Sequence, residues 1–174
     1  LNYSTTPDCV PHLLDKKNVQ MLTSHKVFSE AELKSRCEIM LENYCKTVLI
    51  EANTMIDMAR TEIAPAVSAY AFDLANTAAA KKHVDMSVSC NYEADLLKKL
   101  ARLEDRIAVK TDELEDAVMK LQEEECVETE AFMIRDLLLD KMGELRIACD
   151  EAETLTAKKY WPFPTYGSLL FGIK

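Results

Sequence analysis

Three histidines, six cysteines and a dense set of carboxylates are the residues of this chain that could carry chemistry. His12, His25 and His83 are far apart, and none pairs with another at helical spacing. Cys9-x-x-His12 supplies two ligands, whereas a zinc site needs four in a recognisable spacing. A di-metal helical bundle needs E-x-x-H pairs, but the residues three before the histidines are Cys9, Leu22 and Ala80. Neither G-x-x-x-x-G-K-[ST] nor G-x-G-x-x-G occurs, and with 3 glycines in all no phosphate-cradling loop could be hidden. The run Glu123-Glu124-Glu125 could attract a cation, but consecutive helical carboxylates diverge and make a poor cage. No histidine is spaced to activate a cysteine. The residues alone therefore point to no catalytic, cofactor or metal site.

Cys9, Cys37, Cys45, Cys90, Cys126 and Cys149 form no C-x-x-C pair, and four sit where a helix could use a small apolar residue. They are expected to be free thiols in a reducing cytoplasm. The net charge is −9, and Asp85–Glu130 holds 14 acidic and 6 basic residues. That balance opposes nucleic acid, which is bound through lysines and arginines, and opposes anionic membranes. It reads as a solvated helical face. No basic-then-apolar leader opens the chain, and Tyr160–Ile173, the longest uncharged run, is too short and too proline-broken to span a bilayer. The start at Leu1 suggests a trimmed domain or a piece of a longer chain.

Elements rich in period-3.6 patterning must position these groups. With 174 residues, 48% apolar content and 5 prolines, the chain suits one helical domain. Segment 1–28 is expected to be irregular with a short helix from about His12 to Ser24. Ser29 and Glu32 make a capping box, and Phe28 is placed to staple onto Leu33. From Glu30 to about His83 one stripe reads Leu33, Cys37, Met40, Tyr44, Val48, Ala52, Met55, Ala59, Ile63, Ala66, Tyr70 and Leu74. A second stripe, Leu41, Cys45, Leu49 and Ile56, widens the apolar face, so the first half of this helix should touch something beyond its own bundle. Pro65 predicts a kink near Glu62–Pro65, not an end, because the stripe keeps its phase across it.

Asp85–Asn91 reads as a loop. A second helix, Tyr92–Gln122, carries the seam Leu100, Ile107, Leu114 and Leu121 with Leu96, Leu103, Lys110 and Ala117; Lys110 is the exception. A third, Cys126–Lys159, carries Ala131, Ile134, Leu138, Leu145, Ala148, Ala152 and Leu155, weakened at Gly143. Short connections make neighbours antiparallel. The expected fold is all-α: an antiparallel three-helix bundle over 29–159 with a long, Pro-kinked first helix and an extended aromatic tail over 160–174.

The tail Tyr160-Trp161-Pro162-Phe163-Pro164-Thr165-Tyr166-Gly167-Ser168-Leu169-Leu170-Phe171 holds five of the chain's twelve aromatic residues and its only tryptophan. Its prolines stop the helix and hold the strap extended. Trp161, Phe163, Tyr166, Leu169 and Phe171 are expected to dock on the helices or on a neighbouring subunit.

From Trp161 to Phe171 this strap resembles the extreme C-terminus of type III glutamine synthetases. So do Lys17-Asn18-Val19 followed by His25–Leu33, Glu38–Thr47, Ile50-Glu51-Ala52, Met55–Ala59, Ile63–Tyr70 and Arg135-Asp136. The resemblance covers nearly all of the chain and is weakest around Val84–Gln122. It implies a parent that makes glutamine from glutamate, ammonia and ATP through a γ-glutamyl phosphate, with Mg²⁺ or Mn²⁺. It also implies an upstream catalytic domain and an assembly of two stacked hexameric rings. No catalytic, nucleotide or metal residue of the family maps onto these positions, so the chain is expected to be a non-catalytic C-terminal assembly domain. The alternative is a free-standing helical adaptor that binds partners through Met40–Met58 and the tail.

Overall fold

The computed structural model describes residues 3–124, 126–164 and 166–172, and of Tyr166 the backbone alone. The described residues are helical, with no strand among them. In order they are α1 (Thr6–Cys9), a 3₁₀ turn (Val10–Leu14), α2 (Lys16–Ser24), α3 (Glu30–Met58), a π turn (Ala59–Ile63) and α4 (Ala64–Val84). Then come α5 (Asn91–Leu121), α6 (Val127–Met133), a second π turn (Ile134–Leu138), α7 (Leu139–Leu155) and α8 (Tyr166–Phe171).

Local chemistry explains most boundaries. Segment 1–28 is more helical than its prolines suggest, because Pro7 and Pro11 occupy first-turn positions of α1 and the 3₁₀ turn. There the missing N–H has no helical partner to lose. Helix α2 is closed just past its cap His25 by Lys26, which takes a positive φ of 53°. The Lys26 N–H donates to the Thr23 carbonyl at 3.0 Å and the Val27 N–H to the Leu22 carbonyl at 3.0 Å, a Schellman closure. The capping box that opens α3 is formed: the Glu32 N–H donates to Ser29 Oγ at 3.2 Å, and the Ser29 N–H donates to Glu32 Oε2 at 2.7 Å. Phe28 carries the Arg36 guanidinium 4.3 Å from its ring centre.

One helical run continues from Glu30 to Val84. Pro65 would clash with the carbonyl four residues back and leaves it without a donor. The irregularity beside it is the π turn, in which the Ala64 N–H donates to the Ala59 carbonyl five residues back. The second π turn, closed by Leu139 N–H on the Ile134 carbonyl, has no proline near it and no mark in the sequence.

Packing divides the chain into two compact units: Leu1–Thr54 with Leu114–Met142, and Met55–Glu113 with Gly143–Lys174. The first unit buries Leu33, Cys37, Leu41, Cys45, Val48 and Ala52 of α3, and Leu114, Val118, Leu121, Ile134 and Leu138 further on. Its core follows Leu41 where the first stripe would place Met40, which is exposed. The N-terminal turns belong to this core, since Pro7 and Val10 are buried. The Cys37 thiol donates to the Val10 carbonyl at 3.3 Å, and Asp8 pairs with Arg135.

The second unit buries Ile56, Ala59, Ile63, Val67 and Leu74 together with Leu100, Leu103, Ile107, Leu145, Ala148 and Ala152. Its ion pairs are Arg60–Asp112 at 2.9 Å, Lys81–Glu93, and Arg106–Glu151 at 3.2 Å. Lys110, the seam exception, reaches Glu113 at 2.9 Å and Glu144 at 3.0 Å, so its charge is paired at the core edge. Thr111, buried in the same helix, donates its hydroxyl to the Ile107 carbonyl at 2.7 Å.

Candidate docking surface

The tail belongs to the second unit, and its first residues are tied to α4. The Tyr160 N–H closes a turn on the Ala157 carbonyl at 2.8 Å. Its hydroxyl donates to Asp73 of α4, and Lys159 Nζ lies 3.3 Å from the same carboxylate oxygen. That ammonium also lies 4.4 Å from the centre of the Tyr160 ring, and the Tyr70 ring, on α4 like Asp73, has its centre 5.2 Å from that of Tyr160. One aspartate thus holds the exit of the strap through two neighbouring residues.

Beyond this point the two prolines keep the chain from resuming α7. Trp161 and Phe163 meet edge to face, with centroids 6.3 Å apart and planes at 76°. Together with Pro164 and Leu169 they wall a groove of about 320 Å³ whose other lining includes Met58, Ile63 and Cys149. Asp150 and Glu153 add carboxylates to it. Burial, with help from Asp150, pushes the Cys149 thiol up to about 11, so it is an inert apolar surface here.

Of the residues singled out in the strap, Trp161, Phe163 and Leu169 share this groove. Leu169 is nevertheless 66% exposed, and Leu170 at 69% and Phe171 at 82% stand in solvent. The Tyr166 side chain and Thr165 lie outside the described residues. The strap is extended only at its start; Tyr166–Phe171 forms the short helix α8. Asp73 was not legible as a tail contact. The signal available was Tyr70 and Asp73 at i, i+3 on α4, a spacing that puts a ring and a carboxylate on one face.

The polar candidates do not converge. His12 sits 3.0 Å from Asp15 and under the Tyr3 ring, while His25 caps α2 and His83 lies in the last turn of α4. Among the described residues no three His, Cys, Asp or Glu side chains group closely enough to hold a metal ion. Among the described residues no helix is long and apolar enough to cross a membrane.

The described residues are all helical, and in the second unit the start of the aromatic strap packs against α4. Comparison with known sequences adds to this: residues 1–82 match the model of the family described as the glutamine synthetase C-terminal domain, and the chain as a whole is similar to glutamine synthetases. A glutamine synthetase of Butyrivibrio fibrisolvens is 34% identical over 99% of this chain and 25% of its own length. The type-3 glutamine synthetase of Dictyostelium discoideum is 24% identical over 98% of the chain and 24% of its own length. A glutamine synthetase of Bacteroides fragilis is 25% identical over 98% and 24% respectively. The chain thus spans about a quarter of the length of the curated relatives it matches.

Proposed function

We propose that this chain is the non-catalytic assembly domain of a type III glutamine synthetase. The observation that carries the reading is the likeness to three glutamine synthetases over 98–99% of this chain and only a quarter of each relative. The parent would be the ligase that makes glutamine from glutamate, ammonia and ATP through γ-glutamyl phosphate, with Mg²⁺ or Mn²⁺ held in an upstream catalytic domain. Its setting would be the cytoplasm. The partners of this segment would be that upstream domain and neighbouring subunits of stacked hexameric rings, with neither nucleic acid nor membrane among them. Trp161, Phe163, Tyr166, Leu169 and Phe171 would serve as its docking residues.

In this reading 1–28 is an N-terminal segment, 29–159 an antiparallel three-helix bundle bent near Pro65, and 160–174 the strap. Support for antiparallel neighbours comes from the ion pairs of the second unit. Arg60 meets Asp112 while Lys81 meets Glu93, and Arg106 meets Glu151 while Lys110 meets Glu144. In both pairings one residue number rises as its partner's falls.

The test compares ATP-dependent γ-glutamyl transfer by this chain, by its parent, and by the parent lacking this segment. Activity in the parent, background turnover in the chain alone, and loss of ring assembly in the truncated parent are expected. Turnover by the chain well above a heat-killed control would sink the reading. A second reading, a free-standing adaptor, is favoured by the exposed Ile39, Met40 and Ile50 on α3. The gene sequence before Leu1 separates the two: a catalytic domain there removes the adaptor.

A further inference from the structure

The first unit holds a groove of its own, of about 570 Å³. One wall is the start of α3, the other the start of α6, and the 3₁₀ turn closes one side. Leu14, Cys37, Leu41 and Val127 give it an apolar lining.

Its charged lining is unbalanced. Lys34 is already paired with Glu30 at 3.4 Å, and Glu42 with Lys46 at 2.9 Å. The carboxylates of Glu38 on α3 and Glu128 on α6 make no hydrogen bond or ion pair among the described residues. After burial, both carboxylates push the Cys37 thiol of the groove lining upward. Two unpaired anions on facing walls over an apolar lining favour an occupant that brings a cation and apolar side chains together.

We propose that this groove docks a polypeptide segment that presents apolar side chains beside a lysine or arginine, the cation lying between Glu38 and Glu128. A helix or strand laid into a groove in this way gains apolar burial from its anchors, and the charge pair fixes its register. The inference rests on the assembly reading only for its choice of a protein partner; its test does not involve glutamine synthesis.

Cys126 supplies the readout. It lines the groove and is exposed. Hydrogen bonds from the Thr129 side chain and from the N–H groups of Thr129 and Glu128 hold its thiol below the usual range. The probe is a synthetic amphipathic peptide of leucine and lysine, compared with a leucine–glutamate and a serine–lysine peptide. Binding is followed by anisotropy, and maleimide labelling of Cys126 and Cys9 by peptide mapping. The leucine–lysine peptide should slow labelling of Cys126 about tenfold and leave Cys9 unchanged. Glu38→Gln with Glu128→Gln should weaken binding roughly fivefold, and Leu14→Asp, at a partly exposed site that folding tolerates, should weaken it as well. Glu104→Gln with Asp105→Gln on α5 should not. The proposal is overturned by unprotected Cys126, by equal binding of the serine–lysine or leucine–glutamate peptide, or by equal loss in the α5 variant, which would mean attraction to net charge alone.

Discussion

Arg135 Nη1 lies 2.5 Å from Asp8 Oδ1 across 127 residues of sequence, and this pair fixes the N-terminal turns to the rest of the first unit. Arg135 also grips Asp136 through its Nε at 2.6 Å and lies 4.8 Å from the centre of the Phe132 ring. The guanidinium is thus oriented by its own helix before it meets Asp8. The Thr5 hydroxyl donates to the other Asp8 oxygen at 2.6 Å.

The Thr5 hydroxyl, and with it Arg135, holds the Asp8 carboxyl below the usual carboxylate range. A carboxylate whose folded value is depressed contributes stability above its unfolded value and loses it as pH falls through the folded one. Amide exchange over Thr6–Leu14 should therefore quicken below about pH 4. Asp8→Asn should start with faster exchange at neutral pH and lack that acid step. An unchanged acid step in Asp8→Asn would place the titration elsewhere.

The thiols divide by environment. Burial pushes Cys45, near Glu130, and Cys149 up to about 11, and Cys37 also upward. Cys126 and Cys9 are exposed. Without reductant all six should alkylate on unfolding, while in the native protein Cys126 should react first and Cys37, Cys45 and Cys149 slowest. A pair that resists alkylation even when unfolded would contradict the free-thiol reading.

Trp161 reports on the strap because it is the only tryptophan. Asp73→Asn removes the charge that Tyr160 and Lys159 share. The emission of Trp161 should shift red and become more open to acrylamide, with the helical circular dichroism retained. Trp161→Ala itself should cost about 2–3 kcal/mol, below the loss for a fully buried ring, because the groove it lines is open. Unaltered emission in Asp73→Asn would show that the groove contacts alone hold the strap.

The periodic parts of this fold were legible, and the parts set by single contacts were not. Leu100, Ile107, Leu114 and Leu121 recur every seven residues and all are buried. The capping box needs only Ser29 and Glu32 and is local in sequence. By contrast, Pro7 and Val10 join the core through Asp8–Arg135, a pairing that no local pattern encodes. Met40 fits the helical stripe as well as Leu41 does, and only the position of the opposing side chains decides which is buried. In the strap, aromatic content marked Trp161 and Phe163, but the opposite wall of their groove, Met58 and Ile63, lies far back along the chain.

Two backbone positions allow stabilisation without touching any proposed docking residue. Gly143 lies within α7, and a methyl group added there would meet no atom within 4 Å. Gly143→Ala should stabilise by about 1 kcal/mol, because alanine has less chain entropy to lose in a helix. Lys26 is the reverse case. Its φ of 53° is costly for a residue with a Cβ, and the Schellman closure of α2 requires it. Lys26→Gly should therefore stabilise by up to about 1 kcal/mol despite the greater freedom of glycine in the unfolded chain. The two substitutions move glycine in opposite directions, so a general effect of glycine content would shift their melting curves oppositely. Both curves moving upward is the expected result. A loss of stability in Lys26→Gly would mean that the lysine side chain, not its backbone, holds the end of α2.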